Sequence, residues 1–70
     1  MTQKQFAEKL FKKYGIEYEE CYSGFRGERN GKHWNIQETC SWDGYYQFYT
    51  SDYSANRIKI QTIIKKILAM

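Results

Sequence analysis

YEECYSGFRGERNGKHWNIQETCSWDGYYQFYTS, residues 18–51, is the stretch whose reading decides the fold. It holds both tryptophans and most of the tyrosines, set in short alternating runs around two reversal signals, Asn30-Gly31 and Asp43-Gly44. Either dipeptide tolerates the positive φ angles that tight hairpins demand. The stretch therefore reads as a three-stranded antiparallel meander, with strands over 17–28, 33–41 and 45–51.

A two-residue loop at Asn30-Gly31 makes Arg29 face Lys32. Counting outward then pairs Gly27 with Trp34, Phe25 with Ile36, Ser23 with Glu38 and Cys21 with Cys40. These pairs share one face, so Phe25, Trp34 and Ile36 point into the core. The opposite face shows Tyr22, Gly24, Arg26, His33, Asn35 and Gln37. The second reversal admits a two- or a three-residue loop, and a slip of one residue exchanges the two faces of the third strand. The three-residue loop, with Gly44 left-handed, places Tyr46 and Phe48 beside Trp34 and Ile36. It leaves Tyr45, Gln47 and Tyr49 outside.

Helices are expected on both flanks. Thr2 and Gln5 form a capping-box pattern that starts a helix over 3–14, with Phe6, Ala7, Leu10, Phe11 and Tyr14 as its apolar stripe and Gly15 as its stop. Ser54 is a suitable cap for a final helix over 55–69, whose buried stripe is Ile60, Ile63, Ile64, Ile67 and Leu68. The expected fold class is α+β: a single domain with order αβββα and both helices packed on one face of the sheet.

Seventy residues allow one domain, and a chain of that size buries only roughly three-fifths of the surface its unfolded form exposes. Large rings offset the small number, since 19% of the residues are aromatic and each buries on the order of 150–250 Å². The net charge of +3 is unevenly spread. In the middle, Arg26, Arg29 and Lys32 stand against Glu17, Glu19, Glu20, Glu28, Glu38, Asp43 and Asp52, whereas the last seventeen residues carry Arg57, Lys59, Lys65 and Lys66 and no acid. No apolar run approaches the roughly 18 residues that span a bilayer, and the N-terminus lacks a signal-peptide core. The reading is a cytoplasmic chain that does not use the membrane, with its two cysteines as reduced thiols.

No catalytic, cofactor or metal set is expected. Cys21 and Cys40 fall at a hydrogen-bonded pair, whose wide Cα separation suits a disulfide poorly. His33 is the only histidine, so the usual nucleophile-base arrangements lack their base. Glu38 falls on the core face; its place at one end of the sheet directs it toward Lys59 or Lys66, unless a bulge near Gln37 resets the register.

The outer sheet face is the leading candidate site. Tyr22, Arg26, His33, Gln37, Tyr45 and Tyr49 would form a patch of rings, amides and charge suited to a protein partner, and the acids around it disfavour phosphate. The reading is a non-enzymatic interaction domain of accessory or inhibitory type. The alternative rests on the order helix, three strands, helix, together with the basic pair in Ala55-Asn56-Arg57-Ile58-Lys59. That order is similar to the double-stranded RNA-binding domain, in which a Lys-Lys-x-Ala-Lys cluster opens the last helix and a longer first loop reaches a minor groove. This chain has two of the cluster's cations and only the short turn Arg29-Asn30-Gly31-Lys32. The resemblance implies nucleic-acid binding by the outer helix faces, through Lys4, Lys12, Arg57, Lys59 and Lys66.

Overall fold

The computed structural model describes residues 2–39 and 44–70. The chain runs α1 (Gln3–Lys13), β1 (Glu19–Cys21), β2 (Gly24–Arg29), β3 (Lys32–Glu38), β4 (Tyr45–Thr50), β5 (Ser54–Lys59) and α2 (Ile60–Leu68). The strands form one sheet in the order β1-β2-β3-β4-β5, and every neighbouring pair is antiparallel.

The expected three-stranded meander is thus corrected to a five-stranded one. The central hairpin keeps its counted register, with Gly27 opposite Trp34 and Phe25 opposite Ile36, turned by Asn30 at φ 53° and Gly31 at φ 78°. Both additions lie outside it. The strand read over 17–28 is broken at Tyr22-Ser23, where the chain folds back and Cys21 pairs with Gly24. This reversal carries no Asn-Gly or Asp-Gly signal, and Ser23 still accepts a bond from the Glu38 amide at 2.8 Å. Two strands therefore read as one. Cys21 moves to the helix-free face with Gly24 as its neighbour; Cys40, its expected partner, lies outside the described residues, as does Asp43 of the second reversal.

The helix read over 55–69 is the second correction. Its first five residues belong to β5, which pairs along β4, with Tyr46 opposite Ile58 and Phe48 opposite Ala55. Helix α2 starts at Ile60, and its cap, Lys59, makes no side-chain capping bond, so Ser54 caps nothing. The isoleucine pattern explains the misreading. Ile58 and Ile60 are spaced as in a strand, whereas Ile60, Ile63, Ile64 and Ile67 are spaced as in a helix, and the two periods share a residue. With five strands the likeness to the double-stranded RNA-binding domain fails, because Ala55–Lys59 opens no helix.

Helix α1 forms as its sequence dictates. Thr2 Oγ1 accepts from the Gln5 amide at 3.1 Å while Gln5 Oε1 accepts from the Thr2 amide at 2.8 Å. At the other end Gly15, at φ 67°, lets the Ile16 amide reach the Phe11 carbonyl at 2.9 Å, and buried Ile16 seals the exit. Both helices cover one face of the sheet. The core joins Ala7 and Phe11 of α1 and Ile60, Ile63, Ile64 and Ile67 of α2 to Phe25, Trp34, Ile36, Tyr46, Phe48 and Ile58 of the sheet. Phe11 is its hub, with ring centroids 4.9 Å from Tyr18, 5.2 Å from Phe25 and 5.6 Å from Trp34.

Candidate interaction face

Alternation along the strands sorts side chains between the helix-covered face and a face no helix covers. On the uncovered side one row runs Glu19, Arg26, Asn35, Tyr49, Ser54, and beside it Gln37 lies opposite Gln47. Tyr45 faces Lys59 at one end and Glu28 faces His33 at the other. Of the sequence-derived site, Arg26, His33, Gln37, Tyr45 and Tyr49 all stand on this face. Tyr22 does not; it occupies the β1-β2 turn, fully exposed, at the rim.

Charge divides the face. Toward β1 and β2, Glu19 holds Arg26 at 3.1 Å and Glu28 approaches His33 at 3.4 Å. Because β1 is only three residues long, it leaves the edge of β2 uncovered beyond Glu19. An open depression of about 620 Å³ fills that gap, lined by Glu17, Glu19 and Glu28 together with Arg26 and His33 around Gly27. Toward β4 and β5 the sign reverses. The Arg57 guanidinium lies 4.2 Å from the centre of the Tyr45 ring and the Lys59 ammonium 5.8 Å from it, distances at which a cation is drawn to the π face. A bulge sets this up. Between the Tyr46-Ile58 and Phe48-Ala55 pairs β5 has one residue more than β4, and the extra residue re-aims its neighbours.

The basic residues expected on the outer helix faces do not form one surface. Arg57 and Lys59 sit on β5, beside the tyrosines. Lys4 is a clasp: its ammonium meets Glu20 at 3.1 Å and donates to the carbonyls of Cys21 at 3.2 Å and Tyr22 at 3.4 Å, tying the β1-β2 turn to α1. Lys66 lies 4.5 Å from the Tyr53 ring centre, and Lys12 projects from α1 into solvent. Sequence reasoning missed that Arg57 and Lys59 join the tyrosine face. The available signal was the strand-like spacing of Ile58 and Ile60.

Glu38 lies opposite Tyr46, at the rim of the covered face, and among the described residues it makes no ion pair with Lys59 or Lys66. Its effect falls on Tyr46. Burial, reinforced by the Glu38 charge and partly offset by the Gln3 side chain, pushes that phenol up to about 12; separately, its hydroxyl donates to the Gln3 backbone carbonyl at 3.0 Å. The Tyr18 phenol is likewise raised, by burial first and then by its hydrogen bond to Glu8, at 2.9 Å. Among the described residues no three His, Cys, Asp or Glu converge as metal ligands, and no helix is long and apolar enough to cross a membrane.

Comparison of the chain with protein-family models, with curated proteins and with solved structures finds no match.

Proposed function

We propose that the protein is a binding module that engages a protein partner through the helix-free face of its sheet. The observation that carries this reading is the asymmetry of the sheet. Both helices spend their apolar stripes on one face. The other keeps half-exposed Tyr45 and Tyr49, the amides of Asn35, Gln37 and Gln47, and charges grouped by sign. Tyrosine and arginine beside amides are the residue types that concentrate binding energy at interfaces. Separated charge adds orientation, because a partner of opposite polarity is steered into one alignment.

Phosphate backbone fits this face less well, because Glu19 and Glu28 stand on one side of it and nucleic-acid affinity comes chiefly from Lys and Arg. The test is affinity purification with quantitative mass spectrometry, with and without nuclease, on wild type and on Tyr45→Ala, Tyr49→Ala and Arg26→Ala. The expected result is a nuclease-insensitive partner lost from the tyrosine variants while the folded state survives. A partner retained equally by all three variants, or released by nuclease, refutes the reading.

A further inference from the structure

The two edges of the sheet differ in length and in charge. β1 ends one side after three residues, two of them glutamates. β5 ends the other side with six residues, an edge roughly 20 Å long at the usual rise per residue. A six-residue edge offers a row of main-chain donors and acceptors to any extended chain.

We propose that this β5 edge accepts an extended acidic segment of the partner protein as a sixth, antiparallel strand. The inference rests on the protein-partner reading above and names the chemistry of the partner. Main-chain hydrogen bonds supply affinity in such an addition, and alternate side chains supply selectivity. On the helix-free side the incoming strand meets Arg57 and Lys59, gathered over Tyr45, so its side chains there are carboxylates. On the other side it runs beside Ala55 and Ile58, which belong to the core or pack against it, so its alternate residues are apolar. The recognised pattern is acidic and apolar residues in alternation.

The same features select against other occupants. A second copy pairing β5 to β5 brings Arg57 and Lys59 toward their own counterparts, and like charges across a strand pair are destabilising. A second copy offering β1 supplies three residues against the six of β5. The bulge within β5 further guards the edge against indiscriminate pairing, while it sets Arg57 above the Tyr45 ring.

The experiment titrates ¹⁵N-labelled protein with a blocked peptide of alternating Glu and Val, with its Lys-Val counterpart, and with oligothymidylate. Chemical shifts and amide hydrogen exchange are followed in each titration. The expected result is that the Glu-Val peptide shifts the amides of Ser54–Lys59 and slows their exchange at least tenfold, whereas the other two probes do not. The double variant Arg57→Glu/Lys59→Glu, whose spectrum checks folding, is expected to bind the Glu-Val peptide at least tenfold more weakly and to gain the Lys-Val peptide.

Equal response to both peptides, protection on β1 and β2 in place of β5, tighter binding of oligothymidylate, or no β5 protection at saturating peptide overturns the proposal. If β5 stays unprotected while the tyrosine variants still lose their partner, strand addition fails and the sheet-face reading stands. If the tyrosine variants keep their partner while β5 is protected by the acidic peptide, the opposite holds.

Discussion

Gly24→Ala tests how closely the start of β2 approaches β3. In a strand running unbroken from 17 to 28, position 24 would be an ordinary site on an open face, and alanine there would be neutral or better, since glycine inside a strand costs about 0.5–1 kcal/mol. In the observed fold β2 begins at Gly24 directly after the Tyr22-Ser23 reversal, and a Cβ there would lie 2.8 Å from the Ile36 carbonyl carbon and 2.9 Å from Gln37 Cα, closer still to the Ile36 oxygen. All three atoms are backbone of β3, so no side chain can rotate away. Carbon atoms rest about 3.5–4.0 Å apart, so β2 and β3 must part by roughly 1 Å. That opening strains the Gly24-Gln37 pair and the adjacent bond from the Glu38 amide to the Ser23 carbonyl. Overpacking of about 1–3 kcal/mol and one weakened bond of about 1 kcal/mol sum to a loss of about 2–4 kcal/mol. For a chain whose whole stability is on the order of 4–10 kcal/mol, the thermal midpoint falls by roughly 10–25 °C. Gly31→Ala is the control: it meets no atom within 4 Å and suffers only from its φ of +78°, a cost of about 1–2 kcal/mol. Urea denaturation followed by tryptophan fluorescence compares the two. A Gly24→Ala protein as stable as wild type would mean that Gly24 does not lie against the β3 backbone at Ile36 and Gln37, the close approach on which the magnitude rests.

Phe11→Ala removes the ring shared by Tyr18, Phe25 and Trp34; the expected loss is about 3–5 kcal/mol, leaving the protein partly unfolded at ambient temperature by circular dichroism. Tyr46 gives a pH prediction. Its phenol binds its proton more tightly folded than unfolded, so its contribution is fully present below the ordinary value of 10.0 and is lost as pH rises through about 12. Stability measured by denaturant titration therefore declines across that alkaline window, and Tyr46→Phe removes part of the decline. Lys4→Ala releases Glu20 and the Cys21 and Tyr22 carbonyls; the Lys4 side chain is 25% exposed and Glu20 57%, so the global loss is about 1–2 kcal/mol, and the informative readout is faster amide exchange confined to β1 and its turn.

What was legible in the sequence follows from where period and turn chemistry agree. Asn30-Gly31 has the residues a tight hairpin requires, and the register counted from it holds from Arg29-Lys32 through Phe25-Ile36. The faces expected for the third strand, with Tyr46 and Phe48 inside and Tyr45 and Tyr49 outside, are those the pairing of β4 with β3 gives, although Glu38 stands opposite Tyr46, two residues from the register that a three-residue loop ending at Gly44 sets. The first helix was equally legible, because the Thr2-Gln5 box and Gly15 act through local backbone geometry alone. The two missed strands are cases where local chemistry is mute. Tyr22-Ser23 reverses the chain without a characteristic dipeptide. Ser54–Lys59 has a strong capping residue followed by an isoleucine series that fits a helix from Ile60 onward, so the two-residue spacing of Ile58 and Ile60 is the one local mark of extended chain, and the helical period shares its second residue. Pairing with β4 overrides the local preference.

That second omission changes the site more than the fold. Read as helix, Arg57 and Lys59 belong to a basic surface remote from the tyrosines, and the chain offers two separate candidates: an aromatic sheet face and a pair of cationic helices. Read as strand, they stand over Tyr45 on the sheet face itself, while the helix cations scatter to Glu20, to the Tyr53 ring and to solvent. The two candidates become one surface, graded from carboxylates at β1 and β2 to cations at β5. On the proposed function this grading gives selectivity: a polyanion would be drawn to one side and repelled by the other, whereas an extended acidic chain at the β5 edge would meet Arg57 and Lys59. The position of six residues in the backbone ladder thus decides whether the chain has two separate candidate surfaces or one.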